Sequence, residues 1–188
     1  MRASDSILQA YNDRAKASGW PFQCVPAGNF EQAGLNQALA VWREKARGRA
    51  MPARADMTVR AMKSFLTHVS LLERVPGATG SRYRLRLHGS AQTRYDGDKT
   101  GMFLEDIIDA KRIDGYLALY DTVLALGAPL RVVSHYQAPE INYLTGESLL
   151  APLSTPQSGT PLILSVTYAK PRIEAEVAAI HALLHGRG

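Results

Sequence analysis

Side chains able to do acid–base, metal or nucleophilic chemistry are few in this sequence, and they are scattered. Its five histidines are His68, His88, His135, His181 and His185, and its one cysteine is Cys24. Only His181 and His185 stand at a ligand-like i, i+4 spacing. A metalloprotease helix would carry glutamate next to the first histidine, where this chain has Ala182, so the pair is expected on a solvent-facing helix surface and no metal site is expected. Cys24 sits among Phe22, Gln23, Val25 and Pro26, none of which lowers a thiol pKa, and it is expected to be inert. Ser90 and Asp96 form no nucleophile arrangement with the histidines.

Three other groups remain as candidates. Tyr116 and Tyr120 share one helical face, so their hydroxyls could point into a cavity, with His88, Arg94 and Tyr95 across from them. The plainer alternative makes both tyrosines core aromatics. Between Arg43 and Lys63, seven basic residues stand against Glu44 and Asp56, a local excess equal to the net charge of +5. Such a segment suits an anion, a nucleotide or an acidic partner, although charge runs are usually solvated faces. Within it, Arg54 is either a clamp onto a carboxylate such as Asp56 or Glu73, or part of an anion site with Arg43, Arg47 and Arg49.

The elements that must position these residues follow from periodicity. Strict alternation of Tyr83, Leu85 and Leu87 with Arg82, Arg84, Arg86 and His88 predicts a half-buried strand. Gly89 breaks it, Ser90 caps a short helical turn, and Met102 to Ile108 returns to the core. Strands are expected near His68–Pro76, Arg82–His88, Leu130–Tyr136, Glu147–Leu153 and Leu162–Tyr168, with Pro152 marking an edge or bulge.

Helices are expected from Ser4 to Ser18, from Glu31 to Gly48 with Trp42 on its buried side, from Lys111 to Leu126 with Gly127 as its cap, and from Ile173 to His185. A short helix from Thr58 to Leu66 precedes the first strand, and Trp20 to Asn29, with Pro21, Pro26 and Gly28, reads as a linker. Strand runs joined by hairpin-length loops and interrupted by one helical block predict an α+β fold. The expected divisions are 1–30 for the first helix and linker, 31–172 for the domain, and 173–188 for a C-terminal helix. A single cysteine, no signal peptide and no membrane-length apolar run point to the cytoplasm.

Certain words in the chain resemble a family. They are Trp42-Arg43, then Arg49 to Asp56, then Arg82-Tyr83-Arg84-Leu85 with Gly89, then Asp98-Lys99-Thr100-Gly101, and last Tyr143 with Glu147 to Ser154. In order and spacing they resemble the PAS domain family, in particular a compact alphaproteobacterial PAS group formerly of unknown function. The resemblance covers about Leu35 to Arg172. It implies a five-stranded antiparallel sheet in the order β-β-α-α-α-β-β-β, with short helices on one face. The N- and C-terminal helices expected from periodicity are added to it, the first lying outside the resemblance.

The resemblance also implies a signalling or regulatory sensor or adaptor that works through protein contacts. No catalytic residues carry over with it, so no enzyme is expected. Haem is disfavoured because the long helix 111–126 has no histidine, and covalent flavin because 90–108 has no cysteine. A small-molecule ligand remains open, and its cofactor class is unknown. The terminal helices are expected to make a homodimer or partner interface. The rivals are a small-molecule enzyme on a similar curved sheet and nucleic-acid or anion binding through 43–63. Nucleic acid is disfavoured because no aromatics are interleaved with the basic residues on a sheet face.

Overall fold

The computed structural model describes residues 3–78, 80–138, 141–155 and 159–171. Six strands form one sheet: β1 (Phe22–Pro26), β2 (Val69–Pro76), β3 (Ser81–Leu87), β4 (Leu130–Ala138), β5 (Ile141–Leu153) and β6 (Leu162–Pro171). Their order is β1-β4-β5-β6-β2-β3, and every neighbouring pair is antiparallel. The five strands expected from alternation are all present.

The sixth strand corrects the linker expected over Trp20–Asn29. β1 pairs with β4 from Phe22↔Ser134 to Pro26↔Leu130. It is only five residues long and bounded by prolines, so turn-forming composition hid a strand whose Phe22 and Cys24 are both buried. A proline is tolerated there because β1 lies at the edge of the sheet. The exposed edge is closed by Asn12 of the first helix, α1 (Ala3–Ser18). Its amide donates to the Cys24 carbonyl (2.7 Å) and accepts from the Cys24 N–H (3.0 Å), much as a further strand would.

Each face of the sheet has its own core, as the period-two pleat requires. On one face, Leu72, Leu85, Leu150 and Ile163 pack under α1 and the long helix α4 (Ile113–Leu126). On the other, Leu71, Leu149, Leu164 and Val166 pack under α2 (Ala33–Ala46) and under the turns that carry Met57, Met62 and Phe65. The short helix expected from Thr58 to Leu66 is a run of turns ending in a 3-10 turn, Leu66–His68. Thr58 does cap it, accepting from the Ala61 N–H (3.2 Å).

Gly127 ends α4 in the left-handed conformation (φ 61°), as its position predicts. Ser90 is not a cap: Gly89 takes the cap position of α3 (Ser90–Asp96), and Ser90 is the first helical residue. Among the described residues no helix is long and apolar enough to cross a membrane. The helix expected from Ile173 to His185 lies outside them.

α2 is bound to the sheet by long-range contacts. Gly34 lets it approach closely, because a Cβ there would collide with the Tyr168 hydroxyl. The Glu147 carboxylate accepts from the backbone N–H groups of Glu31 (3.1 Å) and Gln32 (3.1 Å) and from Arg131 Nε (2.6 Å). Trp42, 5 % exposed, donates its indole N–H to the Pro152 carbonyl (2.9 Å). That carbonyl is available because β4 ends at Leu130↔Leu150, so β5 is locally an edge at Pro152. Beyond it, the Pro52–Arg54 backbone takes over: Arg54 N donates to Ser154 O (2.8 Å) and Ser154 N to Pro52 O (3.0 Å).

Two stability predictions follow from this attachment. Trp42→Ala should lower the unfolding free energy by about 3–5 kcal/mol, the range for a buried large aromatic. Glu147→Ala should lower it by about 1–3 kcal/mol, since it leaves the Glu31 and Gln32 N–H groups unbonded and Arg131 with only the longer contact to Glu31 (3.8 Å). Urea unfolding of each variant checks both, and a midpoint unchanged from the parent would show α2 to be loosely attached.

Candidate functional site

Tyr116 and Tyr120 both project from α4 and pack against aromatic rings. Tyr116 meets the Phe22 ring edge-on (4.7 Å, 75°), and Tyr120 lies 5.2 Å from the Tyr83 ring. Leu8, Tyr11 and Ala15 of α1 fill the remaining space, and Tyr11 packs in turn on Trp20. Among the described residues, the space expected to hold a cavity between α4 and the sheet is packed with these side chains. The residues that fill it come largely from α1 and β1, the stretch the sequence left outside its domain.

Two polar groups are caught in that interior. The Tyr11 hydroxyl is buried beside the Cys24 thiol, a weak sulfur neighbour, and has no nitrogen or oxygen partner among the described residues. Burial pushes the Cys24 thiol up to about 12, partly offset by Tyr11. Burial also raises the Tyr11 phenol, and the neighbouring Cys24 adds to that shift. A thiol held protonated is a poor nucleophile.

The other expected ligand residues are engaged elsewhere. The His88 N–H donates to Thr100 Oγ1 (3.2 Å), and its Nδ1 accepts from the Lys99 N–H (3.3 Å), which holds the turn after α3. Arg94 is exposed and lines a surface groove of about 220 Å³ with His68, Ser90 and Gln92. The Tyr95 side chain lies outside what the structure describes, as do those of His135, His181 and His185. The structure thus brings Tyr116 and Tyr120 together but places His88 and Arg94 in other surroundings. Among the described residues no group of three or more His, Cys, Asp or Glu could hold a metal ion.

In the basic segment, Arg54 donates to the Met57 carbonyl (2.9 Å) rather than to a carboxylate. Asp56 instead pairs with Arg49 (2.5 Å) and accepts from the Ala53 N–H (3.1 Å), which holds its carboxyl below the usual carboxylate range. Glu73 is taken by Arg84 (2.6 Å) and Arg86 (3.4 Å). Arg43 reaches the Ala27 carbonyl (3.4 Å).

Sequence reasoning missed two arrangements. One is Glu147 with Arg131 at the start of α2. The other is Arg74 on β2 with Asp121 on α4 (3.6 Å), whose Oδ1 also accepts from the Tyr83 hydroxyl (2.7 Å). Burial, and then this bond to Asp121, raises the Tyr83 phenol. Neither had a local signal, because the partners are far apart in the chain.

A family model of the PAS domain matches residues 30–167. The chain belongs to the PAS domain family. The match spans β2 to the middle of β6 together with α2, and leaves out α1 and β1. No curated protein matches the chain. Three of the words that resembled the PAS family meet in space: Trp42, Arg49 to Asp56 and Glu147 to Ser154 join α2 and its following loop to β5. In this PAS domain those words do structural work.

The buried thiol gives a chemical prediction. Native protein should resist Ellman's reagent at mildly alkaline pH, and labelling should proceed only as fast as the chain unfolds. The folded state also keeps a proton that the unfolded thiol, near its ordinary 9.0, releases. Stability should therefore be full below about pH 9 and fall as pH rises towards 12. Prompt stoichiometric labelling of folded protein would contradict the packed interior.

Proposed function

We propose that the chain is a cytoplasmic signalling module of the PAS family, a sensor or adaptor whose output is contact with a regulatory protein. The observation that carries this reading is the PAS match over the sheet and α2. The packed interior supports a surface mode of action, with ligand or partner acting from outside the two cores. A ligand or partner that favours one arrangement of sheet and flanking helices would shift the population towards it. The reading is regulatory rather than catalytic: the buried thiol is held protonated, and the histidine Nδ1 atoms of His68 and His88 are occupied by backbone groups.

Self-association belongs to the same reading. The α1 stripe is used within its own molecule, where Leu8, Tyr11 and Ala15 are buried, so an interface between copies would fall to the apolar positions Ile173, Val177, Ile180 and Leu184. The basic segment does less for the anion alternative than its composition promised, because Arg43, Arg49 and Arg54 already have partners.

Cross-linking in living cells with the full chain as bait should recover a signalling protein, and native mass spectrometry should report whether a small molecule travels with it. Recovery of neither, alongside turnover of a small-molecule substrate by the purified chain, would replace the adaptor with the enzyme. Val177→Asp with Ile180→Asp should convert a dimer to a monomer in light scattering, and an unchanged mass would move the interface elsewhere.

A further inference from the structure

Arg74 and Asp121 face each other at the end of the sheet where the two covering layers meet. Arg74 Nε donates to the Ser81 hydroxyl (2.7 Å) and lies 3.6 Å from Asp121 Oδ1, the atom that also accepts from Tyr83. Both side chains are therefore positioned through Nε and Oδ1. The terminal guanidinium nitrogens and Oδ2 have no partner among the described residues. At 3.6 Å and with both side chains 46 % exposed, the pair is beyond ordinary hydrogen-bond length and weakly coupled.

The pair opens onto a cleft of about 420 Å³, within the usual range of roughly 300–1,000 Å³ for ligand sites. Met51, Leu124 and Pro161, all half-buried, give it an apolar wall, with Pro152 and Leu153 buried behind them. A simple anion placed there would meet the Asp121 carboxylate, and a simple cation would meet Arg74. A ligand with both charges on neighbouring atoms and an apolar remainder satisfies all three surfaces.

We propose that this cleft binds a free α-amino acid with an apolar side chain. Its carboxylate takes the fork of terminal Arg74 nitrogens, its ammonium takes Asp121 Oδ2, and its side chain lies on the half-buried Met51, Leu124 and Pro161. The inference rests on the sensor reading and supplies that sensor's ligand class. The wall joins Met51, which packs against the α2 core, to Leu124 of the α4 core, so a bound ligand touches both layers at once.

The test is titration of the full chain, followed by the backbone amide signals of Arg74, Asp121 and Leu124. L-leucine and L-phenylalanine should give saturable shifts. N-acetyl-L-leucine lacks the ammonium, L-leucinamide lacks the carboxylate, and L-serine lacks the apolar side chain. Each should bind at least about tenfold more weakly, the leucine derivatives because a charged partner is removed and L-serine because its side chain leaves the apolar wall uncovered. Asp121→Asn keeps an oxygen for Tyr83 and should bind L-leucine no better than its N-acetyl derivative. Absence of saturable shifts with millimolar L-leucine and L-phenylalanine would overturn the proposal, as would equal binding of L-leucine and N-acetyl-L-leucine. The analogue series needs no variant to fold. A null titration beside successful partner recovery removes the cleft and leaves the adaptor, whereas binding without any partner removes the adaptor and leaves the cleft.

Discussion

The placement of the α2 layer on the sheet depends on one carboxylate. Glu147 is 9 % exposed, and a lone ionised group that deep would be strongly unfavourable. It is stable there because two backbone N–H groups and a guanidinium converge on it. Two of those donors belong to the start of α2, where Gln32 offers no side-chain cap. The helix is capped from the sheet instead, by a negative charge at the positive end of its dipole. Once that end is set, Trp42 falls on the Pro152 carbonyl two and a half turns later. The loop after α2 then continues the pairing of β5 where β4 has stopped.

The same economy of edges governs the other side of the sheet. β1 would present unpaired backbone groups to solvent, and Asn12 covers the pair at Cys24. To place that amide, α1 must lie across β1 and α4, and in doing so it drives Tyr11 into the space in front of Tyr120. The Tyr11 hydroxyl, left with only the Cys24 thiol beside it, is the local cost of this packing. The segment outside the PAS match thus decides that the PAS interior is solid.

How much was legible in the sequence follows from how local each signal is. Alternation over β3 and the i, i+4, i+7 spacing around Trp42 are repeated within a dozen residues. They placed Tyr83, Leu85 and the Trp42 face correctly, but Leu87 packs on the opposite core because the β2–β3 register shifts at Leu71/Leu72. β1 has no such repeat: two inward residues between prolines carry no period, and its strand character exists only through Val132 and Ser134, more than a hundred residues away. Arg54 and Arg49 are equally basic in composition. Which of them takes Asp56 is decided by the αL turn at Arg47 that ends α2, a conformation that charge counting does not contain. Glu147 stood inside a recognised PAS word, yet its partners Glu31 and Gln32 are 116 and 115 residues away, so its capping role had no trace along the chain.

A solid interior changes where a signal can enter. Expelling Tyr11, Phe22 or Tyr120 to admit a ligand would forfeit burial of several large side chains, each contributing about 1.5–3 kcal/mol, whereas a surface cleft asks for no such loss. The end of the sheet near Arg74 is the natural place for one. There the two cores approach without merging: Met51 stands 3.9 Å from the position of a Cβ at Gly127, and Leu124 and Leu153 belong to opposite layers. A ligand held at such a seam would touch Met51 of the α2 core and Leu124 of the α4 core at once. Coupling of this kind requires differential contact with two layer arrangements rather than a buried chamber.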